Sequence, residues 1–208
     1  MSTKPSEKRA NEIINFLYSL KISSDRLMKK LDTQNKEMIN LINEALTHSS
    51  ANAKINHEKL EFYGDAVLRL SASEFIDQKF PKLSVGKRSE LRAQIVSDEW
   101  LTRLGKKIEL EKIIIVGSQA MGSDYSKNTI LAETTEALIG AIYKCFDSIK
   151  EINLWLEKYW EEDSDDILKS PYKFNAKSVL QEWCQSMDLD LPVYKISEVR
   201  KKHGHSKR

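Results

Sequence analysis

With only two cysteines in 208 residues, Cys145 and Cys184, the chain has neither a disulfide framework nor a cysteine-rich metal site. The two lie far apart and fall in apolar helical patterns, which favours buried free thiols. No apolar run approaches the roughly 20 residues needed to cross a bilayer. The opening MSTKPSEKRANE lacks the apolar core of a secretory signal. A cytoplasmic protein with no membrane partner is therefore expected. Internal repeats and low-complexity tracts are missing too. Strand signals are almost absent before residue 190, and no proline interrupts residues 57–80, so the first 160 residues read as all-α.

What is present fits a helix-rich globular chain: 40% hydrophobic and 31% charged residues. The net charge of +2 is unevenly spread. Residues 167–208 hold nine Lys or Arg against four Asp or Glu, whereas residues 1–166 hold more acids than bases. A near-neutral body with a basic tail suggests chemistry in one part and polyanion binding in the other. Helical spacing predicts helices over 7–20, around Leu27–Leu31, over 36–46, 57–80, 87–105 with Gly105 just past its end, 129–146 and 151–160. The apolar run Ile113–Val116 suits a strand or a buried connection equally. The acidic run EEDSDD, 161–166, reads as the start of a linker reaching residue 171. Beyond it, KFNAKSVLQEWCQSMDL reads as a helix and LPVYKISEV, 191–199, as an edge strand. Trp155, Tyr159, Trp160 and Trp183 are expected to pack.

The chemistry concentrates in HEKLEFYGDAVL, 57–68. On a helix, Glu58, Glu61 and Asp65 share one face while Leu60, Phe62, Val67 and Leu68 point in other directions. Carboxylates on a helix with so much apolar surface call for a partner, and a divalent cation is one. An amphipathic helix with an acidic outer face is the competing reading. Gly64, between the acids, costs about 1 kcal/mol in a helix interior and marks a close approach by a backbone or a ligand. A second acidic pair, Glu133 and Glu136, sits in the most apolar helix. Four carboxylates from two core helices are suited to Mg²⁺ or Mn²⁺. Two such ions can activate water and stabilise both the attacking and the leaving oxygens of a phosphodiester. A di-iron site would need Glu-x-x-His, which does not occur. For His48, a capping or hydrogen-bonding role is favoured over metal ligation.

HEKLEFYGDAVL followed by TILAETTEALIGAIY, with EALTHSS upstream and KRSELRAQIVSDEWLTRLG between, resembles bacterial ribonuclease III, the double-stranded-RNA endonuclease. From Tyr172, NAKSVLQEW and LPVYKISEV are similar to the first helix and first strand of a double-stranded-RNA-binding domain. The resemblance implies an all-α catalytic domain over 1–160, an acidic linker over 161–171 and the start of an α+β RNA-binding domain over 172–208. It implies a homodimer that cuts duplex RNA to 5′-phosphate and 3′-hydroxyl ends with short 3′ overhangs, in processing ribosomal and other structured RNA. Glu61, Asp65, Glu133 and Glu136 would surround Mg²⁺ or Mn²⁺, with Asp65 and Glu136 the residues whose loss most directly stops chemistry. Glu58 would hold substrate or the site edge. Lys201, Lys202 and His205 would touch RNA, and Phe62 would be the dimer knob, or else an intrachain core contact. Lys87, Arg88 and Arg92 would line RNA or be solvated.

Three positions depart from the family pattern. Glu133 stands where Asp is usual, His57 where Asn is usual, and Tyr63 where a smaller apolar residue is usual. Residues 172–208 suffice for only the first helix, first strand and following loop of the RNA-binding module, so weak RNA affinity and poor order after about residue 198 are expected. A non-cutting RNA-binding scaffold of the same fold is the alternative function.

Overall fold

The computed structural model describes residues 4–22, 24–118, 120, 122–169 and 176–194. Two compact units, Met1–Leu168 and Lys169–Arg208, divide the chain.

The first unit is helical. Glu7–Ser19 (α1), Asp25–Asp32 (α2) and Lys36–Ala45 (α3) open it, each capped by a side-chain oxygen, from Ser6, Ser24 and Asn35 respectively. Glu58–Lys79 (α4), Val85–Ile95 (α5), Asp98–Lys107 (α6), Asp124–Phe146 (α7) and Lys150–Lys169 (α8) follow. No named strand occurs among the described residues. Ile113–Val116 is a connection whose Ile115 makes one isolated parallel bridge to Thr47. No helix of the described residues is long and apolar enough to cross a membrane.

The core is built around α7. Its buried residues, including Ile130, Leu131, Thr134, Leu138, Ile139 and Ile142, point in every direction, as in a helix enclosed by others. It packs most extensively on α4, then on α6 and α3.

In the first unit, three sequence expectations give way. The single helix expected over 87–105 is two, because Ser97 starts a new one: its hydroxyl accepts from Trp100 N–H, with Asp98 and Glu99 in the first turn. Gly105 does not terminate that helix. It lies inside α6, where an added Cβ would stand 3.0 Å from Thr135 Oγ1. The acidic run 161–166, expected to begin a linker, is helical within α8. Its charges have partners there: Glu161 pairs with Lys79, Glu162 with Lys107, and Asp163 with Arg103 at 3.2 Å. Asp163 also accepts from Trp100 Nε1 at 2.7 Å. Meanwhile Trp160, Ser164 and Ile167 continue the buried stripe begun by Ile152, Trp155 and Leu156.

In the second unit, Ala176–Ser186 (α9) is helical. Residues 191–194 form no strand, and 195–199 lie outside the described residues. Trp183, expected to pack, is exposed.

Candidate active site

Two glycines decide how closely α4 and α7 approach. A Cβ added at Gly64 would lie 1.9 Å from the Glu136 carbonyl oxygen, and one at Gly140 would lie 2.1 Å from the Leu60 carbonyl oxygen. The helices thus touch backbone to backbone at a reciprocal pair of glycines. Of the two occupants that Gly64 suggested, the structure places another backbone there.

This crossing sets Glu61 and Asp65 of α4 opposite Glu133 and Glu136 of α7. All four line a cleft of about 650 Å³, together with Ser49, His57, Glu58, Phe62 and Ala66. A second cleft of about 500 Å³ shares Glu61, Glu133 and Glu136 and adds Asp98, Thr102, Arg103, Lys106 and Tyr125 among its walls. The carboxylates therefore form a junction reached through both openings.

Their electrostatics are strained. Burial, then the charges of Asp65, Glu61 and Asp98, push the Glu136 carboxyl up to about 8. Burial, then Glu133, likewise raises Glu61 above the ordinary carboxylate range. Glu133 moves the other way, held low chiefly by the neighbouring imidazoles of His57 and His48. Asp65 accepts from Arg69 Nε at 2.7 Å, one turn along α4. Such crowding of oxygen donors in a half-buried cleft fits a hard divalent cation, which would relieve repulsion that water and Arg69 leave in place.

The two histidines are the part of the site that the sequence did not single out as such. His48 Nε2 lies 3.0 Å from Glu133 Oε2. His57, only 1% exposed, has its Nε2 3.3 Å from Glu61 Oε2 and 3.6 Å from Glu133 Oε2. The rings stack with centroids 4.5 Å apart. As expected, His48 caps: its Nδ1 accepts from Ser50 N–H at 3.1 Å. His57 Nδ1 accepts from Ser49 N–H at 3.2 Å. The ligand atoms of His48, His57 and Glu133 fall within 4.8 Å of one another, a spacing that could hold a metal. The backbone donors argue otherwise for the imidazoles. A neutral ring whose Nδ1 accepts a hydrogen bond carries its own hydrogen on Nε2, so both rings face the acids as donors rather than as ligands. The signal in the sequence was the spacing of His57 four residues before Glu61. The approach of His48 to Glu133 spans 85 residues and leaves no local trace.

Glu58 lies at the rim, in the first turn of α4. Phe62 is 77% exposed at the same rim, so it is not an intrachain core contact. Arg88 is occupied locally by Asp77 and by the Pro81 and Leu83 carbonyls, and Arg92 donates to Ser73 Oγ at 3.0 Å. Lys87 is exposed. Lys201, Lys202 and His205 lie outside the described residues.

Residues 38–154 match the family model described as Ribonuclease-III-like. Ribonuclease 3 of Prochlorococcus marinus is 48% identical over 203 residues, covering 98% of this chain and 81% of the relative. Ribonuclease 3 of Aliarcobacter butzleri is 41% identical over 175 residues, covering 82% and 76%. Among solved structures, the nuclease domain of ribonuclease III from Campylobacter jejuni superposes with a TM-score of 0.51 at 27% identity, covering 76% of this chain and 92% of that one.

Proposed function

This chain belongs to the ribonuclease III family of endoribonucleases, and from that membership we propose that it hydrolyses double-stranded RNA with a divalent cation, Mg²⁺ or Mn²⁺, held by Glu61, Asp65, Glu133 and Glu136. The observation that carries this reading is the convergence of four carboxylates from α4 and α7 in one cleft, with Glu136 pushed up to about 8 by burial and by its neighbours. When bound, a divalent cation lowers the pKa of a coordinated water and offsets charge developing on phosphoryl oxygens. Asp65 and Glu136 orient the attacking water. Glu58, at the rim, holds substrate or the edge of the site. The products carry 5′-phosphate and 3′-hydroxyl ends with short 3′ overhangs, and the physiological substrates are structured RNAs in the cytoplasm.

We also propose that the second unit begins a double-stranded-RNA-binding domain. Its helix α9 falls where the first helix of such a domain was expected. Lys201, Lys202 and His205 would supply further contacts to RNA.

The test is incubation of the chain with a long perfect RNA duplex at low salt, with Mg²⁺, with Mn²⁺ and with chelator. Metal-dependent cutting to short duplexes with 5′-phosphates is expected. A folded chain that binds duplex but cuts with neither metal would overturn the reading in favour of a scaffold.

Phe62 supports a homodimer, because a large aromatic side chain exposed beside the cleft is suited to a pocket on a second copy. Phe62→Ser is expected to give a monomer in sedimentation while leaving helix content unchanged, since the side chain supports little of its own fold. An unchanged oligomeric state would remove Phe62 from the interface.

A further inference from the structure

Among the described residues, the side-chain hydrogen-bond and ion-pair partners of Glu133 are two imidazoles. Those rings are held from several sides. The backbone N–H of His48 donates to the Ile115 carbonyl and that of His57 to the Thr47 carbonyl, both at 2.9 Å. Ile115 N–H returns to Leu46 O at 2.8 Å, and Gly117 N–H donates to Ser50 Oγ at 3.0 Å. Each Nδ1 is fixed by a backbone N–H, and the two rings stack on each other. Nearly every degree of freedom of the pair is thus spent before Glu133 is reached. What remains free is the two Nε2–H groups: that of His48 meets Glu133 Oε2 at 3.0 Å, and that of His57 lies between Glu61 Oε2 at 3.3 Å and the same Glu133 oxygen at 3.6 Å.

Glutamate has one more rotatable bond than aspartate, and the Glu133 side chain is still 34% exposed to the cleft. A long carboxylate at a cleft wall samples several rotamers unless something selects one. We propose that His48 and His57 are positioning residues that select the Glu133 rotamer, so that one carboxylate oxygen is held by the imidazoles and the other is left for the divalent cation. This rests on the metal reading above and adds to it the device that fixes one ligand. It makes cation affinity depend on groups that do not touch the cation, as outer-shell partners of metal ligands commonly do.

His48 has two separable roles, and two substitutions tell them apart. Asparagine places a polar atom near Nδ1, keeping the cap on Ser50 N–H but losing the reach to Glu133. Glutamine places an N–H near Nε2, keeping the reach but losing the cap. The measurement is Mn²⁺ affinity of the chain without RNA, followed by electron paramagnetic resonance, beside the melting temperature of the metal-free chain. For His48→Asn we expect about 10-fold to 100-fold weaker Mn²⁺ binding with an unchanged melting temperature. For His48→Gln we expect affinity within about 3-fold of the unmodified chain and a lower melting temperature from the lost cap. His57→Asn, which keeps the acceptor for Ser49 N–H, releases Glu61 as well as Glu133 and is expected to weaken Mn²⁺ binding too. Unchanged affinity in both asparagine variants, or equal losses in the asparagine and glutamine variants, would overturn the positioning role while leaving the metal site standing. Failure of the unmodified chain to take up Mn²⁺ would overturn the metal reading itself, and this inference with it.

Discussion

Glu136→Gln is expected to lower the rate of duplex cleavage on the order of 10³-fold while changing duplex binding only a few-fold, because the lost charge acts in the transition state rather than in the ground state. The same substitution is expected to stabilise the metal-free chain at alkaline pH. Folding raises the Glu136 carboxyl from 4.5 to about 8. Between those values the folded chain holds a proton that the unfolded chain has released, so stability falls as pH rises through this window. Glutamine cannot release that proton. In chelator, its melting temperature should match that of the unmodified chain near pH 4.5 and exceed it at pH 8. Thermal melts across this range and single-turnover cleavage with Mg²⁺ check both halves. Equal loss of binding and turnover would remove Glu136 from the chemistry. A parallel pH profile would mean that the carboxyl is not strained by its neighbours.

Gly64→Ala is expected to be the most damaging of the alanine substitutions at Gly64, Gly86, Gly105, Gly117 and Gly140. Helix propensity alone favours alanine by about 1 kcal/mol. Against this stands a Cβ 1.9 Å from the Glu136 carbonyl oxygen and 2.6 Å from its carbonyl carbon. Backbone cannot rotate away as a side chain can, so α4 and α7 must separate. Overpacking of this kind costs about 1–3 kcal/mol or more, which exceeds the propensity gain. The displacement also parts Glu61 and Asp65 from Glu133 and Glu136, and a shift of about 1 Å at reacting groups is enough for a loss of about 10²-fold in rate. Gly86→Ala, in the first turn of α5, is the control: its Cβ would meet nothing within 4 Å, so a small gain in stability should appear. Urea denaturation and duplex cleavage on the two variants should therefore give opposite signs in stability and a rate loss in the first alone. A Gly64→Ala chain with unaltered cleavage would show that the helix crossing does not set the site.

The carboxylates were legible in the sequence because their signal is local. Glu58, Glu61 and Asp65 share a face by spacing alone, and Glu133 and Glu136 were conspicuous among Ile130, Leu131, Ala137 and Leu138. Gly64 was legible for the same reason, being costly in a helix unless something approaches it. The histidines were not, since their roles depend on contacts across the chain. His57 drew notice only as a departure from the family pattern, with nothing to connect it to Glu133, and the fold brings the two together. The helix break at Ser97 was missed because apolar periodicity runs on through Leu91, Ile95, Leu101 and Leu104, although Ser97-Asp98-Glu99 is a start signal in its own right. The acidic run 161–166 misled through composition. Six polar residues in a row suggest a tether, but Lys79, Arg103 and Lys107 wait for them on other helices.

The backbone-to-backbone crossing at Gly64 and Gly140 also bears on when the chain becomes dangerous. During synthesis Glu61 and Asp65 leave the ribosome well before Glu133 and Glu136, and α4 alone can form from local contacts. The donor set cannot, because it requires a long loop to close and α7 to dock in register against both glycines. A nascent or half-unfolded copy thus has the acids but not their arrangement. Cutting power arrives only once α4 and α7 have docked and is lost when they part, so the order of assembly serves as a safety catch that needs no inhibitor.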